Sequence, residues 1–361
     1  MAKKSRKKKG FRLFGLTARA LMLAAGGLLV VCYLSQFINP VRTWWLIFFG
    51  ILFIPLFLLN IFLLLWAFKR RSKAFGIPLL ALLPSIFTIG EYYQIPSRKD
   101  APEADGVTIV TYNVGRFGQY SDRNVEGRTA CEDSVFSFLK RSGADIICIQ
   151  EFYASDADAI KSYVRKYFPG YETEYYVNVS KFGSYGNVTI SRFPVVDKGK
   201  FDFENSANLV LYTDLRIGAE KIRVYNCHFE SYNISPSRFA SSISGSETER
   251  QQTEEKMRAS IQRRSQQVDL VIKDIAACPE ETIVAGDFND TPLSFSYHRL
   301  KRGHLDTFQQ AGHGFGGTYA HFRHLLRIDY VLSPKRYQVI SHDVPRMKLS
   351  DHFPIITEID I

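Results

Sequence analysis

"VAGDFNDTP", Val284–Pro292, raises the question that decides this chain. Small and apolar residues lead into Asp287, Asn289 and Asp290, and a proline closes the run. One reading is a surface turn, because Gly, Asp, Asn and Pro are the usual residues of a reversing chain. The other is a catalytic loop at the end of a buried strand. On an extended backbone Asp287 and Asn289 alternate with Phe288, so both face one side while Phe288 turns into a core. Asp290, Thr291 and Pro292 then make the turn that ends the strand.

The surrounding pattern favours a strand. From Val107 onward, short β-branched runs alternate with polar helical stretches. "VTIVTYNV", "DIICIQEF", "YGNVTISRFPVV", "ETIVAGDF", "RIDYVLS" and "FPIITEIDI" read as strands. "NLVLYTDLRIGAEKIRVYNCHFE" reads as a hairpin turning at Gly218–Glu220. "EDSVFSFLKRSG" is a helix with Val135, Phe138 and Leu139 on one face. "ETERQQTEEKMRASIQRRSQQVDLVIKDIAA" is a long polar helix, apolar only near its end at Val268, Leu270, Val271 and Ile275. About ten strands interleaved with helices predict an α+β sandwich, two sheets face to face with helices outside.

Several strands end alike, in an acid, amide or imidazole: Asn113, Glu151, His228, Asp287 with Asn289, and Asp329, with Asp351 and His352 just before the last strand. Any one alone is ordinarily a solvated or structural residue. Six such endings in one domain point to a shared edge, where sites are commonly built. The residue types suit phosphate-ester hydrolysis. A hard cation such as Mg²⁺ (or Mn²⁺) needs one or two carboxylates, which Glu151 and Asp351 supply beside the neutral Asn113. Asp287 is the expected base for a water and Asn289 the group that fixes it. His352, oriented by Asp329, and His228 are the expected phosphate contacts.

In order, "TYNV", "IQEF", "GSYGNVTISRFPV", "NCHFES", "GDFND", "RIDYVL" and "SDHFPI" resemble the endonuclease/exonuclease/phosphatase superfamily of DNase I-like proteins, among them nucleases, inositol polyphosphate phosphatases and neutral sphingomyelinases. The resemblance covers Val107 to Ile361. It implies a four-layer α/β/β/α sandwich and a Mg²⁺-dependent phosphodiesterase or phosphomonoesterase. It also implies Glu151 as principal metal ligand with Asn113 and Asp351 as companions. Asp287 would be the base, Asn289 the orienting amide, and His352 with Asp329, and His228, the groups on the phosphate.

The first hundred residues are different in kind. They hold 15 Lys and Arg against Glu91 and Asp100, leaving 31 basic and 34 acidic residues in the remainder, a net of −3. The basic pI therefore says nothing about a nucleic-acid surface on the later part. Lys256, Arg258, Arg263 and Arg264 cluster on the long polar helix, where a solvated face is the default and a phosphate-tracking surface the alternative. Uncharged runs at 20–38, 44–68 and 74–90 are candidate transmembrane helices. The third is marginal, with Pro78 and Pro84 expected to kink it. The basic flanks "KKSRKKKGFR" and "KRRSK" are expected in the cytoplasm, so three spans put the later domain outside it, on the extracytoplasmic side of the cytoplasmic (inner) membrane. Two spans would leave it inside.

The expected organisation is thus a membrane anchor over 1–93, a linker over 94–106 and a catalytic domain over 107–361. Ser231–Arg250, Ser-rich, reads as a surface loop that could serve as a lid. The five cysteines show no CxxC pair, and Cys148 and Cys227 read as buried strand residues. The expected function is a membrane-anchored phosphoester hydrolase acting on a lipid headgroup, a small phosphoester or nucleic acid. A membrane-tethered nuclease and a non-catalytic binding domain are the alternatives.

Overall fold

The computed structural model describes residues 2–95, 106–118, 125–154, 157–180, 183–204, 206–232, 241, 244–321 and 325–361. Most of the expected linker and half of the 231–250 loop lie outside the described residues. The chain divides into two compact units, one made of Met1–Gly90 with Leu293–Phe295, the other of Glu91–Pro292 and Ser296–Ile361.

In the first unit three helices are long and apolar enough to cross a membrane, at Gly15–Ser35, Trp44–Lys69 and Lys73–Glu91. Large apolar side chains along them are exposed, among them Leu23, Phe62, Leu65 and Phe87. Water would penalise such a surface, whereas lipid does not. Asn60, buried on the second helix, donates to the Ala25 carbonyl of the first at 3.1 Å. Of the two expected kinks, only the one at Pro84 occurs. The helix Gly76–Leu82 stops there and resumes at Ser85–Thr88. Pro78 sits in the first turn of Gly76–Leu82, where no helical N–H is required.

The second unit holds fourteen strands among the described residues. They are β1 (Tyr93–Gln94), β2 (Val107–Asn113), β3 (Ile146–Ala154), β4 (Glu172–Ser180), β5 (Gly183–Ser191), β6 (Val195–Asp202) and β7 (Leu209–Ile217). β8 (Glu220–His228), β9 (Glu281–Asp287), β10 (His304–Asp306), β11 (Gly314–Phe315), β12 (Asp329–Pro334), β13 (Gln338–Asp343) and β14 (Ile355–Asp360) follow. One six-stranded sheet runs β13-β14-β2-β3-β5-β4 and the other β10-β12-β9-β8-β7-β6, with β1 and β11 forming a short separate pair.

Each large sheet has one parallel pair near its centre, β2 with β3 and β8 with β9. Each pair is crossed by a helix, Val125–Arg141 in the first and Glu247–Ala277 in the second. Between the sheets lies an apolar layer drawn from both, including Ile109, Cys148, Ile283 and Val331. Further layers form where Val135, Phe136 and Leu139 pack on the first sheet and Val268 and Val271 on the second. The four-layer α/β/β/α sandwich follows from this arrangement: both faces of each sheet are apolar and both need cover. The five cysteines are free thiols, and Cys148 and Cys227 are fully buried in their strands.

Candidate active site

The pairing register brings the polar strand ends to one edge. Asp329 opens β12 directly opposite Asp287, which closes β9, and His228 closes β8 beside the same Asp287. In the other sheet Asn113 closes β2 next to Gln150 of β3, and the loop carrying Asp351 and His352 leads into β14. The Asn113 amide donates to Asp287 Oδ2 at 3.0 Å and so joins the two sheets across the edge.

Asp287 is the hub. It accepts from the Asn289 backbone at 2.8 Å and from the Asn289 side-chain amide at 3.2 Å. His352 Nε2 lies 3.8 Å and His228 Nε2 4.0 Å from its Oδ2. Asp329 takes the other face of His352, with Nδ1 at 2.9 Å from Oδ2, which leaves Nε2 directed at Asp287. Asp329 is itself anchored where its backbone N–H donates to Thr318 Oγ1 at 3.0 Å.

Burial and neighbouring charge set the protonation states. Burial pushes the Asp287 carboxyl up to about 6, with Asp329 adding to the rise while His352 and His228 oppose it. Burial holds His228 down to about 4, so it is neutral near pH 7. Burial would lower His352 too, but Asp329 and then Asp287 outweigh it and raise its pKa well above the ordinary value. One imidazole is neutral and the other protonated, with an ionised carboxylate between them.

Glu151 reaches the edge through a distortion. β3 carries one more residue than β5 between Ile149 and Phe152, and Glu151 takes φ 52° in that bulge. Its carboxylate lies 3.7 Å from His228 Nε2 and 3.6 Å from Arg116 Nε. Burial raises its pKa, and Arg116 is the largest opposing influence. Arg116 stands in a left-handed turn, Gly115–Gly118, with its guanidinium 4.0 Å above the Tyr185 ring. The Asp351 carboxylate borders the same turn, where a Cβ on Gly115 would come within 3.1 Å of Asp351 Oδ1. Ser350 Oγ ties this loop to the Asn113 carbonyl at 2.8 Å. Among the described residues, non-glycine positive φ occurs at Arg71 and at four places on this edge: Arg116, Phe117, Glu151 and Asn289. Such strain concentrates at sites that must present groups in one geometry.

All eight expected residues therefore meet at one edge, with two local corrections. Asn289 does not reach Asp287 by strand alternation, because β9 ends at Asp287 and Asn289 is left-handed at φ 52°. The left-handed residue folds the amide back, and only Phe288 behaves as an extended chain requires, packing on Phe229 and Tyr330. Nor is Asp290 a solvated turn residue: it is 2% exposed and pairs with Arg264 at 3.4 Å. Arg264 is buried as well, and its guanidinium also donates to the Glu230 and Asn289 carbonyls. The cluster on the long helix thus splits. Lys256 and Arg258 are exposed, Arg263 binds Glu230 at 2.9 Å, and Arg264 holds the Asn289–Asp290 loop.

Behind the site lies a polar network that sequence reading did not identify. Gln150 donates to Thr111 Oγ1 at 3.0 Å and Asn226 Oδ1 at 2.8 Å. The Asn226 amide donates to the Val188 carbonyl at 3.0 Å, and Asn187 donates to the Asn226 carbonyl at 3.1 Å. The signal available was the amide beside each catalytic candidate: Gln150 before Glu151, and Asn226 two residues before His228.

The sequence matches the model of the Endonuclease/Exonuclease/phosphatase family over residues 110–352. The chain belongs to that family. Its description joins nucleases and phosphatases, and hydrolysis of phosphate esters is the chemistry they share. A separate model, for a domain of unknown function, matches residues 13–92. Comparison with curated proteins gives no match.

Solved structures of similar fold include the endonuclease/exonuclease/phosphatase from Bacteroides vulgatus, 19% identical with TM-score 0.52 over 72% of this chain and 100% of that one. The Bacteroides thetaiotaomicron mannosyl-6-phosphatase is 16% identical with TM-score 0.51, covering 71% of this chain and 100% of that one. D. rerio TDP2 in complex with a single-strand DNA product is 16% identical with TM-score 0.52, covering 72% and 100%. At these identities the likeness shows the family's fold.

Proposed function

We propose that the chain is a membrane-anchored, divalent-metal-dependent phosphoester hydrolase with its catalytic unit on the extracytoplasmic side. One observation carries the catalytic reading. A buried carboxylate, Asp287, is held by two amides, Asn113 and Asn289, and faces two imidazoles, His228 shifted toward the neutral form by burial and His352 toward the charged form by Asp329. A structural ion pair needs no second, neutral histidine. A base that must hold a water and then a phosphate does.

Two donor sets could hold a cation. Asp287, Asp329 and His352 place ligand atoms within 4.8 Å of one another. Glu151 and Asp351, with Asn113, offer oxygen donors beside them. We favour the second, because the first set already pairs internally through His352 Nδ1 and a hard cation prefers oxygen. Glu151 fits that role: burial opposes its ionisation, and a neighbouring divalent charge would restore it. Mg²⁺ or Mn²⁺ held there would polarise the phosphoryl oxygen.

The chain's own residues do the rest. Asp287 takes the proton of a water that Asn289 orients. Protonated His352, fixed by Asp329, donates from Nε2 to a phosphoryl oxygen, and neutral His228 contacts the phosphate from the opposite side. The water oxygen bonds to phosphorus as the ester P–O bond breaks. The proton gained by Asp287 matches the one the departing oxygen needs, so water is the sole co-reactant. The side of the membrane follows from three spans with basic flanks in the cytoplasm. A nuclease reading has less support, since Arg263 and Arg264 are both committed to internal partners.

The test uses full-length protein in detergent and bis(p-nitrophenyl) phosphate with Mg²⁺. Asp287→Ala and His352→Ala should each lower kcat by about 10³-fold or more, the scale of losing a positioned base or an electrostatic donor. Turnover close to wild type in either folded variant would rule the mechanism out. A reporter fused after Ile361 should be active only outside the cytoplasm.

A further inference from the structure

The second unit exposes few large apolar side chains: among its described residues they are Tyr93, Ile95, Val196, Leu270 and Phe315. Three of the five belong together. Tyr93 of β1 pairs in register with Phe315 of β11, their rings meet edge to face at 5.0 Å, and Ile95 follows at 78% exposure.

This patch sits where the chain leaves the membrane. The third apolar helical segment ends at Glu91. Tyr93 is two residues further on, within about 7 Å by chain length alone. Glu91 itself belongs to the second unit. Its carboxylate binds Lys301 at 2.8 Å, its carbonyl accepts from buried Arg327 at 3.0 Å, and the Tyr92 carbonyl accepts from Gly316 at 3.2 Å. With the third segment as a span, chain length alone keeps Tyr93 within reach of the lipid headgroups, where tyrosine with apolar neighbours is favoured, and Phe315 is paired to it.

The same loop leads to the catalytic groups. Phe315 borders a cavity of about 430 Å³ with Phe308, His313, His342, Val344 and Arg346. Arg346 clamps the loop by donating to the Phe315 carbonyl at 2.8 Å and to the Gly317 carbonyl. Two residues beyond Gly316, Thr318 accepts from Phe353, and Tyr319 bridges to His352 with its ring 5.1 Å from the imidazole. One short segment thus carries an apolar patch at its start and a phosphate-binding histidine's support at its end.

We propose that this patch and cavity form a lipid-interface subsite, and that the substrate is a phosphate ester of a membrane-resident amphiphile whose apolar part enters beside Phe315. This deepens, and rests on, the hydrolase reading above. A soluble phosphoester would need no exposed aromatic pair two residues from the end of an apolar helical segment.

The experiment uses the full-length chain reconstituted in phosphatidylcholine vesicles, with two probes differing only in chain length, hexadecyl 4-nitrophenyl phosphate and ethyl 4-nitrophenyl phosphate. The hexadecyl diester should be preferred in kcat/KM by about tenfold or more, the gain expected from burying about two of its additional methylenes. Phe315→Ser should cut that preference by about tenfold, the scale of losing one buried aromatic contact. A preference that Phe315→Ser leaves unchanged would reflect partitioning of the probe alone and would overturn the subsite. So would equal use of the two diesters by the wild type.

A second measurement does not depend on catalysis. In a Cys278→Ser background, where the remaining cysteines are buried, a polarity-sensitive label is placed at Phe315→Cys or at Lys335→Cys, just beyond the opposite end of β12. Brominated phosphatidylcholine should quench the label at 315 and not the one at 335. Equal quenching at both, or none at 315, would overturn the interface. If neither alkyl diester is cleaved while bis(p-nitrophenyl) phosphate is, the amphiphile substrate is overturned and the hydrolase reading stands; if none of the three is cleaved, the diester-hydrolase reading fails with it, and the quenching result still decides the membrane contact.

Discussion

The two halves of the sandwich make the same move and reach different ends. In each, a parallel strand pair crossed by a helix delivers one acid and one neutral polar group to one edge: β2–β3 brings Glu151 and Asn113, and β8–β9 brings Asp287 and His228. At β3 the acid arrives through a bulge, stays partly open to solvent at 24% side-chain exposure, and meets Arg116 at 3.6 Å. At β9 two acids, Asp287 and Asp290, are almost wholly buried, and the unit surrounds them with His352, His228 and Arg264. Burial raises the pKa of both carboxylates, so what differs is access. Glu151 keeps a face toward solvent, which fits the proposed exchange of an ion there, and Asp287 is closed in by two imidazoles, which fits the proposed proton transfer.

That contrast can be broken from the buried side. Arg264→Met should destabilise the protein by about 3–5 kcal/mol, because it strands Asp290 without its cation. The melting temperature of the full chain reports the loss. Combining it with Asp290→Asn should restore part of the stability, and a strictly additive double variant would show that the pair is not what Arg264 serves.

A smaller effect is expected where the two sheets share polar groups. Asn226→Leu removes the Oδ1 that accepts from Gln150 at 2.8 Å and from Asn187 at 3.4 Å, and should cost about 1–3 kcal/mol. It should also lower kcat, since Gln150 adjoins Glu151. A stability loss with kcat intact would confine the network to a structural part.

The smallest effect concerns the outer edge. Burial holds His342 down to about 3, and it bonds Thr307 Oγ1 at 2.8 Å as a neutral ring. The unfolded chain protonates this histidine near pH 6.5, the folded one only near 3. Between those values the unfolded state binds more protons, so acidification through this window removes stability that is complete above it. The slope is at most ~1.4 kcal/mol per pH unit. His342→Gln should flatten denaturation midpoints measured between pH 6.5 and 5, and an unchanged slope would mean that the ring is charged in the folded state.

Much of the site was legible before any coordinates. Strand ends that stop abruptly in Asp, Glu, Asn or His are visible because β-periodicity and turn residues are local properties. The same holds for the three apolar runs, whose length follows from bilayer thickness. Legibility stopped where long-range contact decided. Nothing local marks Arg264 as buried, since its helix reads as polar on every side. Nothing local shows that Asn289 turns left-handed or that β3 bulges at Glu151, because both depend on the strand alongside. Pro84 breaks its helix and Pro78 does not, a difference of position within the turn that the bare sequence left open.

What the sequence determined by itself was the inventory: three membrane-length helices, a strand-rich family domain, and eight polar residues at strand ends in family order. Those follow from side-chain chemistry and spacing, which act over a few residues. Only the tertiary structure decided that the eight meet at one edge, that Asp287 stands between two imidazoles shifted in opposite directions, and that β1 pairs with the segment leading to the support of His352. Protonation and proximity depend on desolvation and on charges brought together from opposite sheets, and no local pattern encodes them.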